Sequence, residues 1–137
     1  MRLGARLAFL AFGACRGPAV PGLEAPDALV VYALQPGREP EGATPAFHGQ
    51  AVTKSVEIKD PGRRAAIVTA VDGAIREGGR QAKCFNPRHG LRATKAGVVR
   101  DLVICFECHN VSIEGEDQMR AISDSAAATL DEALARP

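Results

Sequence analysis

The chain has 137 residues, of which 46% are hydrophobic and 24% charged, and its formal net charge is +1. This length suits one domain with one hydrophobic core. Because there is no large excess of basic residues, the chain has no global field to attract nucleic acid, and we expect no nucleic-acid partner. With five Phe, one Tyr and no Trp, the core must be mostly aliphatic.

The first 14 residues have the pattern of a secretory signal peptide. Arg2 and Arg6 precede an apolar run over residues 7–14, which is far shorter than the ~20 residues needed to span a bilayer. The run ends in FGAC, which resembles the lipobox of bacterial lipoproteins, with Phe12 where Leu is usual. We therefore expect residues 1–14 to be a lipoprotein-type signal and Cys15 to be lipidated. The alternative is a buried N-terminal strand with an incidental cysteine.

The signal predicts a location and one partner. The protein is expected to be exported and held by membrane lipid at the cell membrane or the outer membrane, facing the periplasm or the exterior. Residues 15–27 contain three Pro and two Gly and predict an anchor and tether. Residues 28–136 then form a single domain, and the sequence names no protein partner.

Two strands are expected in the first third of this domain. The run ALVVYAL, at 28–34, is wholly apolar and predicts a strand buried on both faces. A loop rich in Pro and Gly follows at 35–45. Residues 50–59 then alternate, with Val52, Val56 and Ile58 on one face and Lys54 as the exception, which predicts a half-buried strand.

The clearest predicted element is a helix. Asp60 is a good N-cap, and Pro61 suits the first helical position, where its missing N–H is not needed. An apolar stripe recurs at helical spacing, and Gly78 and Gly79 end the helix. The stripe comprises Ile67, Val68, Val71, Ala74 and Ile75.

Two strand-like runs around a turn follow, and then a second helix with Ser123 or Asp124 as its cap. The order strand, strand, helix, hairpin, helix predicts an α+β fold. We expect a single small layer of antiparallel or mixed sheet, with one central and one C-terminal helix packed on it.

The register of the predicted hairpin depends on its turn. A turn on Ala96–Gly97 places Arg92 opposite Asp101, whereas a three-residue loop places Arg92 opposite Arg100. Charge pairing favours the first register. In either register Cys84 lies beside residues 105–109.

The three cysteines that remain after Cys15 favour a disulfide, because exported domains fold in an oxidising compartment. Cys84 is expected to pair with Cys108, or with Cys105 if the backbone bends. A Cys105–Cys108 bond is disfavoured on a regular strand, where the two side chains point to opposite faces about 10 Å apart.

The segment CFECH, at 105–109, also matches the attachment motif of c-type haem. Cys105 and Cys108 would carry the haem, and His109 would be its proximal ligand. The candidate distal ligands are His48, His89 and Met119. A strand would separate the two thiols, and few aromatics are available to line a haem pocket.

Zinc is a further alternative at the same cluster, with Cys84, Cys105, Cys108 and either His89 or His109 as ligands. This set requires the chain to turn at Phe106–Glu107. The remaining interpretations are small buried core cysteines and a Cys84 nucleophile activated by His89, which lacks an orienting third group. If the cysteines bind neither zinc nor haem, no cofactor is expected.

Basic residues recur along the hairpin, and Arg88 and Arg92 are candidates for binding an anion or a lipid headgroup. A solvated charged face is the ordinary explanation of such a run. We expect no catalytic residues, and the domain is expected to be non-enzymatic.

The segments CFNPRHGLRAT and DLVICFEC together resemble a family of small uncharacterised exported or lipoprotein-like bacterial domains. That family is marked by CFxPRHG and ICFxC segments, and the resemblance covers about residues 28–136. It implies a shared site or a shared structural element at the motif positions, with His109 a local addition. These positions are Cys84, Pro87, Arg88, His89, Gly90, Cys105 and Cys108.

Overall fold

The computed structural model describes residues 17–136, so the predicted signal peptide and Cys15 lie outside the described residues. Within these residues the chain forms seven strands. They are β1 (Ala28–Gln35), β2 (Ala46–Phe47), β3 (Gln50–Glu57), β4 (His89–Lys95), β5 (Val98–Cys105), β6 (Asn110–Ile113) and β7 (Arg120–Ala121). The helices are α1 (Pro61–Glu77) and α2 (Ala127–Ala135), the latter preceded by a 3-10 turn over Asp124–Ala126.

The strands form one antiparallel sheet in the order β2-β3-β1-β4-β5-β6-β7. The α+β class is therefore confirmed, but the expectation of a single small layer is wrong, since the sheet has seven strands. The sequence concealed two of them because β2 and β7 are only two residues long. No helix within residues 17–136 has the length and apolar character that crossing a bilayer requires.

Helix α1 follows its sequence signals closely. The Asp60 carboxylate accepts a hydrogen bond from the backbone N–H of Arg63, Pro61 is the first helical residue, and Gly78 ends the helix at φ +65°. The predicted stripe is the buried face of the helix. It packs into the main core together with Leu130 and Leu134 of α2 and the aliphatic residues of one sheet face.

The other face of the sheet carries a smaller apolar cluster of Leu34, Phe47 and Val103. A bulge explains why Val52 joins this cluster rather than the main core. Ala33 pairs with Lys54, but the next residue of β1, Leu34, pairs with Val52, so one residue of β3 is skipped. The skipped residue reverses the alternation of side chains along β3. Strand β1 was expected to be buried on both faces, but on the face away from the helices Val30 and Tyr32 are only half-buried.

The β4–β5 hairpin adopts the register that charge pairing favours. Arg92 pairs with Asp101, and Leu91 pairs with Leu102. The turn residues Ala96 and Gly97 have φ values of +48° and +78°, the combination that a two-residue hairpin turn requires.

Residues 17–27 are packed on the domain, in contrast to the tether expected over residues 15–27. Val20 and Leu23 are 2% and 1% exposed and belong to the main core. Arginines also hold the backbone of this segment, since Arg120 donates to the carbonyl of Ala19 and Arg76 to that of Gly17. The Pro and Gly content indicated a loop correctly, but two apolar residues were enough to fix that loop to the core.

We predict that Leu23→Ala lowers the free energy of unfolding by about 2–4 kcal/mol, because it removes a fully buried side chain and leaves a cavity. Val98→Ala is the matched control, since Val98 is 53% exposed and its truncation should change stability by less than about 0.5 kcal/mol. Urea denaturation of both variants and of the wild type measures the free energy of unfolding. Equal stabilities for the two variants would show that residues 17–27 contribute nothing to the core.

Candidate functional site

The segment CFECH forms a turn between two strands. Strand β5 ends at Cys105, β6 begins at Asn110, and these two residues pair across the hairpin. The backbone N–H of His109 donates to the carbonyl of Phe106 over 3.2 Å, and His109 has φ +53°. The expectation that this motif lies inside a strand is therefore wrong, because the β-prone residues on either side belong to two antiparallel strands.

Cys84 and Cys108 lie at disulfide-bonding distance. Their sulfur atoms are 2.06 Å apart and their Cα atoms 5.7 Å apart. Cys84 lies in the loop between α1 and β4 and is exposed, whereas Cys108 is fully buried in the turn. The pair therefore joins an exposed loop to the interior end of the β5–β6 hairpin.

Hydrogen bonds hold the same two segments together. The side-chain amide of Asn110 donates to the carbonyls of Ala82 and Cys84 over 2.9 and 3.0 Å, and Ala82 donates its N–H to the carbonyl of Cys108. Asn110 is only 5% exposed. Sequence reasoning missed this residue, and the available signal was a lone amide directly after the cysteine motif.

Cys105 lies outside the pair. It is 1% exposed, and its sulfur accepts a hydrogen bond from the backbone N–H of Cys108 over 3.2 Å. Its thiol is therefore held within the turn, away from solvent.

The two histidines near the motif bond to other groups. His109 Nδ1 lies 3.0 Å from the carbonyl of Ile122, and because a carbonyl only accepts, Nδ1 carries the proton. His89 Nε2 lies 2.7 Å from the carboxylate of Asp131 in α2, and its ring contacts Phe106 edge-on at a centroid distance of 5.2 Å.

These positions bear on the zinc and haem interpretations. The turn removes the geometric objection that a strand would separate the thiols. However, the Cys84–Cys108 pairing uses sulfur atoms that either a zinc ion or a haem would need. Across residues 17–136, the converging group of metal-ligating side chains is His48, Asp101 and Glu114, which includes none of the predicted cysteine or histidine ligands.

The two arginines proposed for an anion differ in their surroundings. Arg88 is exposed and precedes β4. Arg92 instead forms a two-pronged ion pair, with Nε and Nη2 donating to the two oxygens of Asp101 over 2.8 and 2.7 Å. Arg92 is thus already committed to an internal carboxylate.

Asp101 is the centre of a polar cluster that sequence reasoning saw only in part. It is 2% exposed, and its Oδ2 also contacts His48 Nε2 at 2.7 Å. His48 lies in the two-residue turn between β2 and β3, with φ +48° followed by Gly49 at φ +78°. The Arg92–Asp101 pair followed from the register of the β4–β5 hairpin. The approach of His48 could not be predicted in this way, because it requires the β2–β3 turn to lie over β4 and β5.

Aromatic packing holds the β2–β3 turn against the sheet. The Phe47 ring stacks on Tyr32 at a centroid distance of 4.3 Å, and the Arg92 guanidinium lies 5.5 Å from its centroid. Phe47 also covers Gly90, where an added Cβ would lie 2.8 Å from the ring. Position 90 therefore requires glycine for Phe47, and hence His48, to approach.

The cluster keeps Asp101 ionised. Burial raises the pKa of Asp101, but hydrogen bonds from Arg92 and His48 outweigh it and hold the pKa below its usual value. The bond to Asp101 likewise raises the pKa of Arg92. The pair is therefore fully charged at neutral pH.

A cavity of about 100 Å³ lies where the segments CFNPRHG and CFEC meet. Its lining comprises Asn86, Arg88, His89, Phe106, Glu107 and Ala127. This volume holds a few waters or a small ion rather than an organic substrate.

Comparison of the chain with family models, with curated proteins and with solved structures found no match. The resemblance carried by the CFxPRHG and ICFxC segments therefore stays a prediction.

We predict that Arg92→Ala lowers the free energy of unfolding at pH 7 by about 2 kcal/mol, because it leaves the buried Asp101 carboxylate with His48 as its remaining partner. The loss should fall short of that for a fully buried pair, since the Arg92 side chain is 44% exposed. Arg88→Ala removes an exposed arginine from the same segment and is the control. If denaturant titration finds the two variants equally stable, the ion pair does not stabilise the fold.

Proposed function

We propose that the protein is an exported, lipid-anchored domain without enzymatic activity, whose Cys84–Cys108 pair is a structural disulfide. The observation that carries the disulfide part of this proposal is the placement of Cys84 beside Cys108, with their Cα atoms 5.7 Å apart. The disulfide would fasten the loop between α1 and β4 to the β5–β6 turn.

The compartment and the pairing support each other. Disulfides persist in exported proteins and are rare where cytosolic reductants act, so a stable Cys84–Cys108 bond fits the signal-like sequence of residues 1–14. Cys105 also fits a structural interpretation, because a thiol that is 1% exposed does not meet external substrates.

A role without enzymatic activity agrees with the small size of the cavity at the motif segments. The cavity at the motif segments is about 100 Å³, smaller than typical ligand pockets. A zinc module or a c-type haem at the cysteines are the competing functions, and each would need Cys108 in a different chemical state.

We predict that Cys84 and Cys108 are oxidised together in natively exported protein and that Cys84→Ser lowers the free energy of unfolding by about 3 kcal/mol. The bond spans a sequence separation of 24, and closing a loop of that length restricts the unfolded chain. Alkylation without reductant followed by peptide mass mapping should label Cys105 only, after denaturation.

Cys105→Ser is the control for that experiment, because it changes a buried cysteine that contacts only the backbone of Cys108 and leaves both paired sulfur atoms in place. Three alkylated cysteines in wild-type protein would contradict the disulfide and favour zinc or simple core packing. A haem-linked peptide covering residues 105–109 would contradict all of these interpretations and favour a cytochrome-like function.

We further predict that Cys15→Ala releases the protein from the membrane fraction or blocks processing at residue 14. A lipid chain contributes ~0.8 kcal/mol per buried methylene, so its loss should abolish stable membrane association. Cys84→Ser is the matched control, since it removes a cysteine but should leave fractionation unchanged. Wild-type and Cys15→Ala proteins that fractionate identically would disprove the anchor.

A further inference from the structure

The surface opposite the helices holds a second set of candidate ligands, away from the cysteines. His48, Asp101 and Glu114 come from the β2–β3 turn, from β5 and from the residue that follows β6. One ligand atom of each lies within 4.8 Å of the others. Three segments that are distant in sequence thus bring an imidazole nitrogen and two carboxylates to one point.

Each of the three residues is positioned by the fold. Asp101 is buried in the sheet, and the backbone N–H of Glu114 donates to the carbonyl of Asp101 over 3.0 Å. His48 is carried by the turn that Phe47 holds on Gly90. A bound ion would therefore find its ligands gathered in advance, at little cost in chain ordering.

We propose that His48, Asp101 and Glu114 form a zinc-binding site. Imidazole nitrogen and carboxylate oxygen are both good zinc ligands, whereas calcium and magnesium prefer all-oxygen sites. Three protein ligands leave a fourth position for water or for a ligand atom of another molecule. That position opens to solvent, because the His48 side chain is 33% exposed and Glu114 is exposed.

The geometry requires a small adjustment. His48 Nε2 and Asp101 Oδ2 are 2.7 Å apart and joined by a proton, whereas two ligands of a tetrahedral zinc ion are about 3.4 Å apart. Zinc would take the place of that proton, which moves to Nδ1, and the two side chains would separate by about 0.7 Å. Glu114 is exposed and can complete the set without disturbing the core.

Arg92 limits the affinity of the site but does not fill it. Its Nε and Nη2 bond the Asp101 oxygens, which keeps the carboxylate ionised and oriented. Its positive charge opposes a cation, yet the two carboxylates outnumber it, so the group has a charge of −1 with His48 neutral. Zinc raises that charge to +1, and the solvent-exposed side of the site screens it.

Calorimetric titration of the mature, disulfide-bonded protein with zinc chloride tests the site. We expect one zinc ion per chain and no comparable heat with calcium chloride. Glu114→Gln should weaken zinc binding at least tenfold, because even the loss of an outer-shell partner costs about that much. Glu116→Gln removes an exposed carboxylate two residues away and should bind as the wild type does.

Further variants separate this site from the cysteines. Cys105→Ala and His89→Ala should retain zinc binding, and His48→Ala should abolish it. Since His48→Ala could also loosen the β2–β3 turn, the thermal midpoint gives a second readout: zinc should raise it for wild type and Glu116→Gln but not for Glu114→Gln. Failure of wild type to bind zinc, or equal binding by Glu114→Gln, would overturn the proposal, and neither result depends on the disulfide or the anchor.

Discussion

The ion pair between Arg92 and Asp101 fixes more of this molecule than any other polar contact described. It joins β4 and β5, two neighbouring strands near the centre of the sheet, and a slip of one residue would turn every side chain of either strand to the opposite face. With the pair in place, Leu91 and Leu102 face the helices together. A slipped hairpin would instead bury Asp101 without its partner, which is a costly arrangement. The pair therefore selects one register as well as stabilising it.

That register determines where both candidate sites lie. At the far end of the β4–β5 hairpin it brings the chain before β4 beside the β5–β6 turn, so that Cys84 reaches Cys108. In the middle of the sheet it presents Asp101 on the face that the helices leave open, where His48 and Glu114 meet it. Two chemically different clusters thus depend on the alignment of the same two strands.

The sequence predicted the parts of this fold that depend on neighbouring residues. Periodicity and capping gave α1, because Asp60, Pro61 and the apolar stripe act within one helix. The turn at Ala96–Gly97 and the pairing of opposite charges predicted the β4–β5 register, because the turn and the charged pair lie within one hairpin. The cysteine neighbourhood followed from that hairpin.

The rest depends on contacts between distant segments, which a local pattern does not encode. His48 was named only as a candidate distal haem ligand, since its approach to Asp101 depends on Phe47 packing over Gly90, a residue distant in the sequence. The turn at 106–109 was not predicted because the residue types at its start also occur in strands, so the sequence does not mark where the strand ends. Val20 and Leu23 lie in a segment whose Pro and Gly content is typical of tethers. Their burial depends on packing against core residues from the rest of the chain, which the local pattern does not indicate.

The packed N-terminal segment has a consequence for how the domain would meet a bilayer. Gly17 is already held by Arg76, and Val20 is in the core, so an acylated Cys15 would be separated from the folded body by one residue, Arg16. A residue of extended chain reaches at most about 3.6 Å. If Cys15 is acylated as proposed, so short a connection would limit how far the domain could move from the membrane surface and how freely it could rotate. The domain would then keep one side toward the lipid headgroups and the opposite side toward the surrounding space. The short connection would therefore set the orientation of the domain as well as its location.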